Sequence, residues 1–159
     1  MLALALDKST IRTFMGQLLR EEIFDTFEVR SVEVATAVRI NIDGQRAAEA
    51  EITEGSAESQ KPKFSTWETL RPLVYGIIKA SPKPKHVKVV FSYKASEACN
   101  IHANAAALFL NFAYENDSVT FTTGAAQKEF LFEKSLDIAW DEWVKVFFEK
   151  VGLQVMDRE

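Results

Sequence analysis

The sequence predicts an α+β fold in which an antiparallel sheet carries its helices on one face. Several segments alternate apolar and polar residues, as strands with one buried face do. Other segments repeat apolar residues every three or four positions, which is typical of helices lying on a core. These segments follow one another as two strand-helix-strands units and a final amphipathic helix, which we expect to pack on the sheet.

The first unit begins with a short apolar strand over residues 2–6. Asp7 is a favourable N-cap residue for the helix that follows. Ile11, Phe14 and Leu18 recur at helical spacing in that segment. The pattern therefore predicts a strand and then a helix with one face on the core.

Residues 32–42 alternate apolar and polar side chains and predict a strand with one buried face. The alternation changes phase near Arg30–Ser31, where a β-bulge would restore the facing. Asp43–Gly44 is a residue pair typical of a type I′ hairpin turn. We therefore expect residues 45–52 to return as an edge strand.

Residues 53–63 combine Gly, Ser, Pro and charged residues and predict an exposed loop between the two halves. Ser65 and Glu68 then have capping-box spacing, which predicts a helix start one residue after the serine. Pro72 lacks the N–H that would bond the Glu68 carbonyl and disfavours helical geometry at Arg71. The prediction is a short capped turn and a helix that restarts at Pro72.

The second unit is predicted as a strand, a short Ala-rich helix and three further strands. The segments are residues 86–94, 95–106, 108–114 and 119–123, and a last strand marked by Phe130 and Phe132. Residues 115–118 form the expected turn between the second and third of these strands.

The final helix is predicted from Ser135 to Val151, with Gly152 just past its end. An acidic residue early and lysines late match the helix dipole. The apolar stripe consists of Leu136, Trp140, Trp143, Val144 and Phe147.

The 159 residues have the size of one domain, residues 1–159, since single cores close at about 100–200 residues. A content of 47% hydrophobic and 26% charged residues argues against disorder or a fibrous repeat. A single cysteine excludes an internal disulfide and a cysteine-rich zinc site. The apolar N-terminal run ends at Asp7, too short for a signal peptide or a membrane span. We therefore expect a cytoplasmic protein with no membrane contact.

The two units share an order of elements without a repeat of residues. This order resembles the duplicated strand-helix-strands unit of a DNA sliding-clamp domain, in which helices pack against a continuous antiparallel sheet. The resemblance implies a fold and no function, because one fold hosts many functions.

Several local motifs point to a second resemblance. They are W-x-x-x-R-P at Trp67, Arg71 and Pro72, LNF-x-Y at Leu110–Tyr114, TTG at Thr122–Gly124, and KSL-x-x-AWDE at Lys134–Glu142. In these motifs the chain resembles a domain-of-unknown-function family of small proteins from Gram-positive anaerobic bacteria. That family has no established activity, so the resemblance implies a fold and no reaction.

No nucleotide-binding glycine loop and no G-x-S-x-G motif occurs in the sequence. His86 and His102 lack the spacing of metal ligands or of a catalytic base. Cys99 lies one helical turn before His102, which leaves a small ligand binder or enzyme around this pair, with Arg71 or Tyr75, as an alternative. Packing is the preferred role for a lone cysteine. The sequence thus predicts no cofactor and no metal, and it leans against an enzyme.

A basic segment extends from Lys79 to Lys94 with no acidic residue inside it. Its lysines are Lys79, Lys83, Lys85, Lys88 and Lys94. Such a cluster is typical of phosphate-backbone contact, but a net charge of −4 and the lack of an exposed aromatic series disfavour nucleic acid. A clamp-like or nucleic-acid-associated accessory protein is therefore an alternative.

The leading prediction is a non-enzymatic interaction domain that binds a protein partner or a second copy of itself. The candidate surface combines these five lysines with Trp67, Arg71 and Tyr75. Trp and Arg are enriched at binding hot spots, although Trp67 lies on the core stripe of its helix and core packing is the plainer interpretation. The partner of Arg71 is the open question that the sequence leaves.

Overall fold

The computed structural model describes residues 2–46, 63–80 and 83–157. Its strands are β1 (Ala3–Leu6), β2 (Glu28–Ala35), β3 (Arg39–Asp43), β4 (His86–Ser92), β5 (Ala105–Glu115), β6 (Ser118–Gln127) and β7 (Val155–Asp157). They form one sheet in the order β3-β2-β4-β5-β6-β1-β7, with every neighbouring pair antiparallel. Because β1 of the first unit pairs with β6 of the second, the two units share one continuous sheet.

The α-helices are α1 (Ile11–Arg20), α2 (Trp67–Ala80) and α3 (Ser135–Lys150). A 3₁₀ helix, Lys8–Thr10, leads into α1, and another, Ala95–Asn100, connects β4 to β5. The helix residues Phe14, Trp67 and Phe148 contact the strand residues Phe112, Phe91 and Phe121, with ring centroids 5.6, 5.4 and 4.8 Å apart. All three helices therefore pack on one face of the sheet, and the predicted fold class is confirmed.

The core between helices and sheet is aromatic. Phe24, which follows α1, is fully buried and stacks on Phe91 with a centroid distance of 5.0 Å. It also meets Phe14 edge-on at 5.9 Å and Phe147 of α3 at 5.6 Å. Offset and edge-to-face ring pairs each contribute about 0.5–1.5 kcal/mol beyond the burial of their area. One side chain thus joins the first helix, the sheet and the last helix.

The bulge expected near Arg30–Ser31 is present as a register shift between Val29 and Ser31 in the β2–β4 pairing. The prediction of a single strand over residues 32–42 is wrong, because the chain turns between Ala35 and Arg39. Val34 pairs with Ile40 across this hairpin and shares its face. The apolar alternation therefore continues through the turn, and its period cannot reveal the reversal.

Asp43–Gly44 does not form the predicted type I′ turn, since Gly44 has no positive φ angle. That conformation occurs instead in the β5–β6 turn, at Asn116 (φ 53°) and Asp117 (φ 57°). Residues 47–52 of the expected edge strand and residues 53–62 of the expected loop lie outside the described residues.

Gly44 is required by a close approach of backbone segments. Its N–H donates to the Arg30 carbonyl at 3.0 Å, and its carbonyl accepts from the Ser65 N–H at 2.8 Å. The Ser65 carbonyl in turn accepts from the Val29 N–H at 2.8 Å. A Cβ atom at Gly44 would overlap the Val29 carbonyl oxygen. The bulge of β2 and the segment before α2 therefore meet at a residue without a side chain.

Helix α2 is one continuous helix with Pro72 inside it, so the predicted restart at Pro72 is wrong. The proline leaves only the Glu68 carbonyl without a helical donor. Glu68 and Pro72 are both exposed, so water reaches that side of the helix. Buried Trp67 and Val74 hold the helix to the core before and after the proline.

Two predictions in the second half are also wrong in part. The Ala-rich helix ends at Asn100, and Ala105–Ala107 belong to β5, where pairing with β6 overrides the weak strand preference of alanine. Phe130 and Phe132 form no strand, because β6 ends at Gln127 and the connection to α3 is irregular. The predicted final helix is confirmed, and Gly152 just past its end has a φ of 78°.

Replacing Gly44 by alanine is expected to destabilise the protein by more than about 2 kcal/mol, because backbone atoms must move to admit the methyl group. Gly76→Ala is the matched control. No atom lies within 4 Å of a Cβ atom at this position in α2, so alanine should stabilise by about 0.5–1 kcal/mol. Urea denaturation of both variants measures the two effects, and a Gly44→Ala protein as stable as the wild type would contradict the close approach.

Arg71 in α2 donates two hydrogen bonds to the carboxylate of Asp25, which follows α1. Arg71→Met is expected to destabilise the protein by about 2 kcal/mol, because it leaves this largely buried carboxylate without its bidentate partner. A double-mutant cycle with Asp25→Asn should give a coupling energy of about 1–3 kcal/mol. Lys79→Met at the exposed end of the same helix serves as the control and should change stability by less than about 0.5 kcal/mol. Additive effects of the Arg71 and Asp25 substitutions would show that the pair is not coupled.

Candidate interaction surface

Trp67 and Arg71, two of the sequence-predicted surface residues, make internal contacts. Trp67 is fully buried, and its indole Nε1–H donates to the Leu18 carbonyl of α1 at 3.0 Å. Arg71 donates from Nε and Nη2 to the two carboxylate oxygens of Asp25, both at 2.9 Å. The side chains of this ion pair are only 18% and 11% exposed. Both residues therefore attach α2 to the segment around α1.

The predicted lysines do not converge on one surface. Lys83 pairs with Asp117 at 2.7 Å on the helix side of the sheet. Lys88 projects from the opposite face, directly across from Glu33 on β2. Lys79 lies above the Tyr75 ring at 5.9 Å on α2, and Lys85 and Lys94 flank β4 at its two ends.

His102 has a structural set of partners. Its Nδ1 accepts from the Asn104 N–H at 3.1 Å, so the proton of the neutral ring lies on Nε2. That Nε2 is 2.9 Å from the Ser135 hydroxyl, which donates to Glu133. In this arrangement the imidazole donates to the serine and cannot accept its proton. Both ring nitrogens of His102 therefore bond to residues other than Cys99, which is exposed.

Among the residues that the structure describes, the ionisable groups with shifted pKa values are spread over the fold. They are Glu28, Glu33, Arg71, Lys83, Tyr93 and Asp117. Lys83 and Asp117 line one cleft together, where they form an ion pair. Within residues 2–46, 63–80 and 83–157, no three His, Cys, Asp or Glu side chains are grouped as metal ligands. In the same residues no helix is long and apolar enough to cross a membrane.

The connection from β6 to α3 contains the most exposed aromatic side chains of the described residues. Phe132 is 91% exposed, Phe130 is 77% exposed and Leu131 is 42% exposed. The two rings contact each other edge-on with centroids 4.9 Å apart. We call residues 130–132 the aromatic patch. A groove of about 410 Å³ beside it reaches Ala125 of β6 and Asp137 of α3.

Two side-chain amides hold the backbone of this connection. Asn104 donates to the Glu129 carbonyl and accepts from the Glu129 N–H, both at 2.9 Å. Gln127 does the same with Leu131, at 3.2 Å to its carbonyl and 3.0 Å from its N–H. Residues 129 and 131 are thereby fixed as if in a strand pair. The connection therefore displays Phe130 and Phe132 without the support of a sheet.

A comparison with protein families identifies the family to which the chain belongs. Residues 17–155 match DUF5721, a family of unknown function. The chain belongs to this family. The DUF5721 match thus extends from α1 to β7 and includes the aromatic patch, Asn104 and Gln127. Comparisons with curated proteins and with solved structures found no match.

Sequence reasoning found Phe130 and Phe132 but assigned them to a strand, because alternating aromatic residues usually mark one. The charged residues on both sides distinguish an exposed connection from a buried strand. Lys128, Glu129, Glu133 and Lys134 bracket the three apolar residues on both sides. A buried three-residue strand between two pairs of charges would desolvate those charges, whereas an exposed connection does not.

Two glutamates of β2 have pKa values shifted in opposite directions. Burial raises the pKa of Glu28, which is only 4% exposed, although the Ala95 backbone hydrogen bond opposes the shift. Hydrogen bonds from His86 at 2.8 Å and Arg39 at 2.9 Å lower the pKa of Glu33. The folded state therefore binds the Glu28 proton more tightly than the unfolded chain does, and the Glu33 proton less tightly.

The two corresponding glutamine variants are expected to change stability in opposite directions at neutral pH. The contribution of Glu28 to the free energy of unfolding is greatest below pH 4.5 and is lost as pH rises. Glu28→Gln should therefore be more stable than the wild type at pH 7. The contribution of Glu33 is present above pH 4.5 and is lost as pH falls, so Glu33→Gln should be less stable at pH 7. Thermal denaturation at several pH values tests this, and both differences should shrink towards pH 4. Shifts of the same sign in both variants would contradict the assignment.

Proposed function

We propose that the protein is a non-enzymatic interaction domain that associates with a second copy of itself through the aromatic patch. The observation that carries the proposal is the fixed display of Phe130 and Phe132, which are 77% and 91% exposed while two side-chain amides hold their backbone. Burying a phenylalanine side chain contributes about 1.5–3 kcal/mol. The fold gains little of this energy from these two rings, because most of their surface is exposed.

The backbone of the aromatic patch is already held in place in the free protein, and this favours binding at the patch. A flexible loop loses conformational freedom when it binds, and each immobilised side chain costs about 0.5–1.5 kcal/mol. The paired amides of Asn104 and Gln127 have already fixed the backbone of the connection. Binding then orders little beyond the rings themselves.

The charges around the patch favour a second copy over a strongly charged partner. Lys128 and Lys134 lie beside Glu129 and Glu133, so the flanks carry both signs. A nucleic acid or a basic segment would meet like and unlike charges alternately. A two-fold contact places the same patch on both sides and presents each lysine to a surface that also carries glutamates.

The size of the patch predicts a weak dimer. Two aromatic side chains bury about 150–250 Å² each, well below the roughly 800 Å² per partner of standard interfaces. We therefore expect a dissociation constant of about 10⁻⁵–10⁻³ M. Such a weak dimer forms only where the local concentration of the protein is high.

The double variant Phe130→Ser/Phe132→Ser is expected to abolish self-association because it removes both rings and leaves the amide pairs in place. Sedimentation equilibrium over a concentration series should show an average mass that rises for the wild type and stays monomeric for the variant. The control is Leu73→Ser, which removes a 53% exposed apolar side chain on α2 and should dimerise like the wild type. A wild-type protein that is monomeric throughout, or a variant that still dimerises, would refute the proposal.

A further inference from the structure

A second surface feature lies on the helix side of the sheet, remote in sequence from the aromatic patch. A cleft of about 470 Å³ separates α1 and its 3₁₀ lead-in from the C-terminal end of α2 and the β5–β6 turn. This volume is within the range of small-molecule sites, roughly 300–1,000 Å³. We call it the α1–α2 cleft.

The floor of the α1–α2 cleft is apolar. Ile11, Met15 and Leu19 lie at successive fourth positions along one side of α1, and Ile78 of α2 faces them. Met15, Leu19 and Ile78 are only partly buried although they pack against the core. Covering apolar surface of this kind with a ligand removes it from water and favours binding.

The rim of the cleft is basic. Lys8 and Arg12 lie one helical turn apart on the α1 side, and Lys83 lies across from them. Of the described residues that line the cleft, Asp117 alone is acidic. Three cations thus face one carboxylate in a chain whose net charge is −4. Among the described residues, neither Lys8 nor Arg12 forms an ion pair.

Asp117 is already engaged by its neighbours. Its Oδ1 accepts from Lys83 at 2.7 Å and from the Tyr114 hydroxyl at 3.1 Å. Both bonds, that of Lys83 foremost, lower the pKa of this carboxyl group. The charge of Lys8 also lowers the pKa of Asp117, but less than Lys83 does. Asp117 is thus bonded to Lys83, and a single carboxylate faces three cations.

We infer that the α1–α2 cleft binds a small amphiphilic anion, an acyl chain that ends in a carboxylate. The chain lies on Met15, Leu19 and Ile78, and the carboxylate is bound by Arg12 and Lys8. The planar fork of an arginine matches a carboxylate in two parallel hydrogen bonds. Charge and apolar floor together select against neutral and cationic amphiphiles of the same length.

Decanoate, decanol and decyltrimethylammonium, each kept below its aggregation concentration, test this inference on the ¹⁵N-labelled full chain. Decanoate should cause saturable shifts of the amide resonances of residues 8–19 and 114–117. Octanoate should bind about two- to fourfold more weakly per methylene removed. Decanol should bind about tenfold more weakly than decanoate, and the ammonium compound should cause no saturable shift.

Variants identify the groups that bind. Arg12→Gln should weaken decanoate binding about tenfold by removing a charged hydrogen-bond donor. Met15→Glu should abolish binding while the amide spectrum remains that of a folded protein. Lys88→Gln is the matched control, because Lys88 lies on the opposite face of the sheet, and it should bind as the wild type does.

Several results would overturn the inference. They are the absence of saturable shifts with decanoate, equal affinity for decanol, and an Arg12→Gln variant with unchanged affinity. Shifts centred on residues 128–134 would also overturn it, because they would indicate contact with the exposed aromatic patch. The Phe130→Ser/Phe132→Ser protein should bind decanoate normally, so failure of this inference and failure of the proposed self-association are distinguishable.

Discussion

One-sided packing of the sheet is the constraint on which the other features of the structure depend. The helices cover a single face through aromatic contacts in which buried Phe24 links Phe14, Phe91 and Phe147. The opposite face carries small and polar residues, among them Lys88, Asn111, Thr120 and Thr122, which are exposed or half-buried. Most of the buried large apolar side chains therefore lie in one layer. Phe109 is an exception on the opposite face, where Arg30 lies over its ring, and Phe130 and Phe132 lie outside both faces.

The aromatic patch and the α1–α2 cleft differ in shape and in charge. The aromatic patch has rigid backbone, apolar rings and flanking charges of both signs, which suits a surface of the same composition. The α1–α2 cleft is concave, apolar at its floor and positively charged at its rim. A flat protein surface would not reach its floor, whereas a slender ligand would. The aromatic patch and the α1–α2 cleft thus share no lining residue.

Periodicity recovered the elements that bury a continuous stripe, such as α1, β4 and α3, because burial alone determines their pattern. Periodicity did not predict the local structure where contacts between distant parts of the chain determine it. Gly44 suggests a turn locally, yet its role is set by Val29 and Ser65, which meet it only in the folded sheet. The partner of Arg71 is 46 positions away at Asp25. Likewise, the side-chain amides that hold the backbone of residues 129 and 131 belong to Asn104 and Gln127. No spacing rule links these amides to the neighbouring Phe130 and Phe132 rings.

The edges of the sheet limit how copies of this protein can assemble. As far as the described residues extend, the sheet ends on β3 with five residues and β7 with three. Short edge strands give an added strand few backbone hydrogen bonds, and this discourages growth by strand addition. The proposed two-fold contact between side chains would occupy the same patch on both molecules and close after one step. Crowding of such a protein would therefore favour discrete pairs over fibres.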